Sequence, residues 1–181
     1  MTAVPGLYET ALGDAWAELS SAHQAFHTYA EDCTYTGVAE ITRGTGPVAA
    51  LAAAVFGFPR TGEDVSVTLE KSRQGTEETW SRSFGGRPMR SVCYPSGRPS
   101  HSRERLWPCV FEMELQVQNQ AMHLHVRRGW MFGVPLPRFL LPKVDAREFI
   151  EDHRFNFDIA IRAPLTSGLL VHYRGWLRPD D

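Results

Sequence analysis

Arg82 and Arg128 fall where an alternating chain would place apolar side chains. In the run 78–84, Thr79, Ser81 and Ser83 alternate with Trp80, Arg82 and Phe84. In 122–132, His123, His125 and Arg127 alternate with Met122, Leu124, Val126, Arg128 and Trp130. Successive strand residues point to opposite faces, so both guanidinium groups are expected on the apolar side, beside tryptophans. A guanidinium cannot shed its charge, so burying it requires a partner. Inside an apolar pocket it can hold a carboxylate bidentately, polarise a carbonyl oxygen or stabilise an enolate. The competing reading is a structural ion pair with an inward acid, for which Glu40 is the best placed. A one-residue change of phase would instead send both arginines to solvent.

Tyr173 and Glu40 are the candidates for moving a proton near such a centre. Leu169, Val171, Tyr173 and Leu177 share one parity, which aims Tyr173 at the interior. Trp80, Phe84, Trp107, Phe111, Met113, Trp130 and Phe132, with Tyr35, supply the expected apolar walls. Such walls with a few polar groups are how small-molecule pockets are built, although the same residues could simply fill a core. The small residues Gly37 and Ala39 leave room inside. Two histidine pairs have spacings that suit zinc: His123 with His125 on one strand face, and His23 with His27 one helical turn apart. The first pair shares the polar face with Arg127 and reads as solvated; His27 reads as bracing the helices. No metal or cofactor is expected. The sequence holds no GxSxG, P-loop or GxGxxG pattern, which disfavours serine-hydrolase and nucleotide chemistry.

The elements that must carry these groups are mostly strands. Residues 1–30 read as short helices, with Asp14 able to cap one and Ser20-Ser21 to break it. Residues 34–177 read mainly as antiparallel strands, with one helix near 47–57 opened by Pro47 and closed by Gly57. Val48, Leu51, Ala52, Val55 and Phe56 give that helix an apolar face. Gly85-Gly86 marks a hairpin, and 95–102 reads as an exposed loop. The count is about eight strands, the number of a closed or nearly closed barrel. The fold class is therefore α+β, β-predominant: an antiparallel barrel or strongly curved sheet with N-terminal helices packed against it. The segment 133–142 carries Pro135, Pro137 and Pro142 among large apolar residues, which suits a lid, a docking segment or a loop packed on its own core.

The chain has 181 residues, enough for a single domain. Its net charge of −2 comes from interleaved acids and bases, so nucleic-acid binding by bulk electrostatics is not expected. The three cysteines are widely spaced, which argues for reduced thiols and not for a disulfide framework. No signal peptide or membrane-spanning run is evident, and a cytoplasmic location is expected.

The chain resembles the bacterial domain-of-unknown-function family 4166. The resemblance rests on Leu7-Tyr8, Leu12-Gly13, Phe26-His27, Gly37, Ala39-Glu40-Ile41, Arg43-Gly44 and Phe58-Pro59. It continues through Trp80-Ser81-Arg82, Phe84-Gly85-Gly86, Gly133-Val134-Pro135-Leu136-Pro137 and Phe155-Asn156-Phe157-Asp158. It ends on His172-Tyr173-Arg174-Gly175-Trp176-Leu177. One departure is Leu106-Trp107, where the family more often has a Phe-Gly pair; a large indole there would reshape a pocket edge. Members that are fused to dehydrogenase domains imply a metabolic setting and a dehydrogenase-type partner. The reading of the residues is a barrel that binds an apolar, carbonyl-bearing molecule, as a cofactor-free cyclase, isomerase or lyase of a biosynthetic intermediate in secondary metabolism. The alternative is a non-catalytic binding module working with a dehydrogenase-type or membrane partner.

Overall fold

The computed structural model describes residues 5–28 and 32–180. Alternation of apolar and polar residues, cut by short turns, makes a meander of strands. These are β1 (Cys33–Arg43), β2 (Gly62–Gln74), β3 (Glu77–Phe84), β4 (Arg87–Pro95), β5 (His101–Leu106), β6 (Cys109–Gln118) and β7 (Ala121–Met131). A two-residue β8 (Val134–Pro135) hangs on the end of β7, and β9 (Lys143–Glu151), β10 (Arg154–Arg162) and β11 (Leu169–Pro179) follow. The order is β6-β5-β4-β3-β2-β1-β11-β10-β9-β7, and β7 pairs back onto β6. The result is a closed antiparallel barrel of 10 strands, the β-predominant class expected, with two more wall strands than the sequence suggested. The extra strands are β5, expected as loop up to 102, and β9.

The first and last long strands close the barrel. β1 and β11 pair from Tyr35↔Pro179 to Arg43↔Val171. A Cβ at Gly37 would lie 1.8 Å from the Trp176 carbonyl oxygen, so this seam tolerates only glycine there. Tight hairpins set the register elsewhere. Asn119 and Gln120 (φ 50° and 60°) turn β6 into β7, and Asp152 and His153 (φ 50° and 59°) turn β9 into β10. Paired positive φ values match the right-handed twist of the flanking strands.

Helices α1 (Leu7–Leu12) and α2 (Ser21–His27), joined by a 3-10 turn over Gly13–Glu18, pack against the barrel. The Ser20 side chain, not Asp14, caps α2, accepting from the His23 backbone N–H at 3.3 Å. The α2 ring of Phe26 stacks on Phe155 at 3.5 Å and lies 4.7 Å from Tyr35. This aromatic plug fills part of an interior that ten strands leave too wide for wall side chains alone. Helix α3 (Pro47–Phe56) starts at Pro47 and stops at Gly57 in the left-handed conformation, as read from sequence. It buries only Ala49 and Ala53; Val48, Leu51 and Val55 face outward instead of packing. No described helix is long and apolar enough to cross a membrane.

Candidate functional site

The part of the barrel that the plug leaves open is a cavity of about 120 Å³. That is roughly ten times the room one water centre needs. Phe56, Met89, Phe111, Met113, Leu124 and Ile161 are among its apolar walls, and Pro142 from the proline-rich segment reaches its edge. A smaller adjoining space of about 40 Å³ shares Trp80, Arg82, Glu148, Ile159 and Tyr173 with it. Arg82 and Tyr173 therefore stand where the two spaces meet.

Arg82 projects inward from β3, as its parity predicts, with its side chain 16% exposed. Its Nη1 donates to Ser91 Oγ at 2.9 Å, and the guanidinium lies 4.9 Å from the Trp80 ring centre. Its acidic partner is Glu104 on β5, with Nη2 3.6 Å from Oε1. That separation exceeds a hydrogen bond, so a ligand oxygen can approach the same face. Tyr173, on β11, is buried beside Phe84, ring centres 5.4 Å apart. Burial pushes its hydroxyl pKa up to about 12, against the pull of Arg82, so it stays protonated as a donor. Tyr8 and Cys93 also line the cavity, and burial raises both pKa values.

Several expected site residues lie elsewhere. Arg128 is outside the barrel, 58% exposed at its side chain, with Nε 3.7 Å from Glu112 Oε1. The reason is a bulge. Met113 pairs with Val126 but Glu112 pairs with Arg128, so Arg127 is an extra residue and the phase flips after it. Trp130 is displaced by the same flip and lies on the outer face, 5.0 Å from the Arg103 guanidinium. Glu40 also points outward and receives two hydrogen bonds from Arg174, at 3.0 and 2.7 Å. Trp107 is 74% exposed and packs edge-on against exposed Phe132, so it does not shape the cavity. Tyr35 is buried in the aromatic plug, not in the cavity wall, and Phe84 lines the smaller space and not the main cavity. Trp80, Phe111 and Met113 do line the main cavity.

Sequence reasoning missed four inward charged groups. Lys71 continues the series Val65, Val67, Leu69, and Glu78 precedes Trp80, Arg82 and Phe84, so parity alone placed both inside. The Lys71 ammonium donates to the Phe26 carbonyl oxygen and lies 4.7 Å from the Trp80 ring centre; burial lowers its pKa to about 8. Glu78 accepts from Trp80 Nε1 at 3.4 Å. Glu104 shares its strand face with Ser102 and Leu106. Glu148 follows Val144 and Ala146, and burial raises its pKa. Glu148 accepts a 3.0 Å hydrogen bond from His27 Nε2.

The geometry can hold one polar oxygen in an apolar chamber, with an arginine and a tyrosine as donors and a carboxylate beside them. Comparison with known proteins adds the following. The sequence profile described as "Domain of unknown function (DUF4166)" matches residues 17–177. Comparison with curated proteins gave no match. The crystal structure of Rv2717c from M. tuberculosis superposes with a TM-score of 0.47 at 14% identity, covering 90% of this chain and 99% of that one.

Proposed function

The chain belongs to the family of the domain of unknown function DUF4166, a membership that brings no activity with it, and we propose that its barrel binds an apolar small molecule through one carboxylate or carbonyl oxygen. The observation that carries this reading is the Arg82 guanidinium, facing a hollow of about 120 Å³ with only a loose acidic partner. The apolar walls contribute affinity by excluding water, and Arg82 and Tyr173 fix the orientation of the oxygen.

The catalytic form of this reading is a cofactor-free isomerase or cyclase. Glu104 would take a proton from the carbon next to the ligand carbonyl, and the electron pair would pass to the oxygen held by Arg82 and Tyr173. Returning the proton to a different carbon completes an isomerisation with no net loss of atoms or electrons. The rival reading is a carrier or interaction module, favoured by the exposed Trp107, Phe132, Val134 and Phe139.

The test is a panel of aromatic and aliphatic carboxylic acids and ketones, followed by calorimetry and by product analysis. Arg82→Met should weaken binding of a responding acid roughly 10- to 100-fold, the worth of a charged hydrogen bond. Tyr173→Phe should weaken it less and leave the fold intact. Turnover that disappears in Glu104→Gln while binding persists supports the catalyst; binding without turnover supports the carrier. Equal affinity of wild type and Arg82→Met for every responding ligand would sink both.

A further inference from the structure

Among the described residues, four buried side-chain atoms lack a hydrogen-bond partner: both ring nitrogens of His23, Nδ1 of His27, and one Glu78 oxygen. Three of the four belong to two histidines one turn apart on α2, and both histidines are 0% exposed. Neutral imidazole always carries one donor and one acceptor, so His23 leaves both unmet. Buried groups in that condition are rare, and an ion is one standard resolution.

Across from α2, β9 presents the Glu148 carboxylate, with Oε2 3.0 Å from His27 Nε2. One ligand atom from each of His23, His27 and Glu148 lies within 4.8 Å of the others. Ligands around a zinc ion at about 2.0–2.2 Å sit somewhat closer than that, so modest side-chain rotation converges them. We propose that His23, His27 and Glu148 bind one divalent transition-metal ion, zinc by preference, between α2 and the barrel wall. Two imidazoles and one carboxylate suit zinc and leave a fourth position for water. Hard ions such as calcium and magnesium prefer all-oxygen sites. Two buried carboxylates, Glu148 and Glu78, balance two cations within electrostatic reach, the Lys71 ammonium and the Arg82 guanidinium. A dication therefore does not enter a uniformly positive region.

The ion ties α2 to β9 at the edge of the ligand cavity, which Glu148 itself lines. The Tyr8 and Trp80 rings, 4.3 and 5.9 Å from the His27 ring, line the cavity beside it. Metal loading therefore orders the cavity wall, whatever ligand the cavity takes.

The experiment strips the whole protein with a chelator, then titrates Zn2+ or Co2+ near neutral pH by calorimetry and cobalt absorption. The expected result is one ion per chain, a tetrahedral Co2+ spectrum, and a Tm rise of roughly 5–10 °C at a hundredfold excess over Kd. His23→Phe fits the surrounding aromatic rings and removes the unmet nitrogens. It should lose the ion and the Tm response while keeping its strand circular dichroism. Glu148→Gln should weaken binding at least tenfold. Wild type that takes up no stoichiometric ion, or whose Tm ignores both metal and chelator, overturns the proposal. So does a His23→Phe protein that binds as tightly as wild type. If that variant fails to fold, the stoichiometry and Tm response of the wild type decide alone. Ligand binding at Arg82 is read separately, so either proposal can fail without the other.

Discussion

Two arginines of similar sequence setting do different physical work here. Arg82 lies in an apolar chamber with Ser91 and Glu104, whereas Arg128 sits outside with two other arginines around Glu112. The Glu112 carboxylate is fully buried, 2.8 Å from Arg98 and 3.3 Å from Arg103. Arg128 is the most distant and most exposed of the three, so Arg128→Ala should change stability by about 0.5 kcal/mol or less and leave ligand binding unaltered. Glu112→Gln should cost about 1–3 kcal/mol, because three cations lose their shared counter-charge but remain partly solvated. Urea unfolding of the two variants checks both values. An Arg128→Ala protein with lost ligand affinity would return that residue to the site.

Strand by strand, the alternation of residue types located the walls wherever the inward residues were apolar. β3 was legible, and with it Arg82, because Trp80 and Phe84 frame the charge. β5 and β9 were not, since Glu104 and Glu148 break the inward apolar series that a period-two reading relies on. The polar groups that make the cavity interesting are the ones that hid its walls. β7 was found, but its phase was lost at Arg127, because a single extra residue leaves no mark in composition. Barrel closure is a further property no single strand reveals. It depends on Gly37, where an added Cβ would meet the Trp176 carbonyl oxygen. Gly37→Ala must therefore push β1 from β11 and should cost about 3 kcal/mol or more. The measurement is the denaturation midpoint, with hydrogen exchange on β1 and β11. An unchanged midpoint with unchanged protection along that seam would show that the added methyl fits without parting the strands.

For the whole molecule, the buried ionisable groups set a pH profile. Burial raises the pKa of Tyr173 from 10.0 to about 12, and raises Tyr35 and Tyr8 in the same direction. An unfolded tyrosine loses its proton near 10, while the folded one keeps it, so its contribution is complete below pH 10 and is lost as pH climbs through 12. Lys71 has the opposite sign. Its folded pKa is lowered from 10.5 to about 8, so the unfolded chain holds an extra proton between those values. Stability from Lys71 therefore grows as pH rises from 8 to 10.5 and is absent below. Each group can contribute a slope of up to about 1.4 kcal/mol per pH unit within its window. The lysine acts first and the three tyrosines act later and together. The buried Cys93 thiol, whose pKa burial also raises, has the sign of the tyrosines but acts from about 9. Stability should therefore rise only modestly between pH 8 and 9, level off, and then fall steeply, with ionisation of the buried tyrosines appearing in the same transition as loss of strand signal. Tyr173→Phe should shallow the fall without moving the rise, and Lys71→Met should remove the rise without changing the fall. Ionisation of Tyr173 below pH 11 in the still-folded protein, read as the difference in tyrosinate absorbance between wild type and Tyr173→Phe, would show that the barrel interior admits water, and the enclosed chamber around Arg82 would go with it.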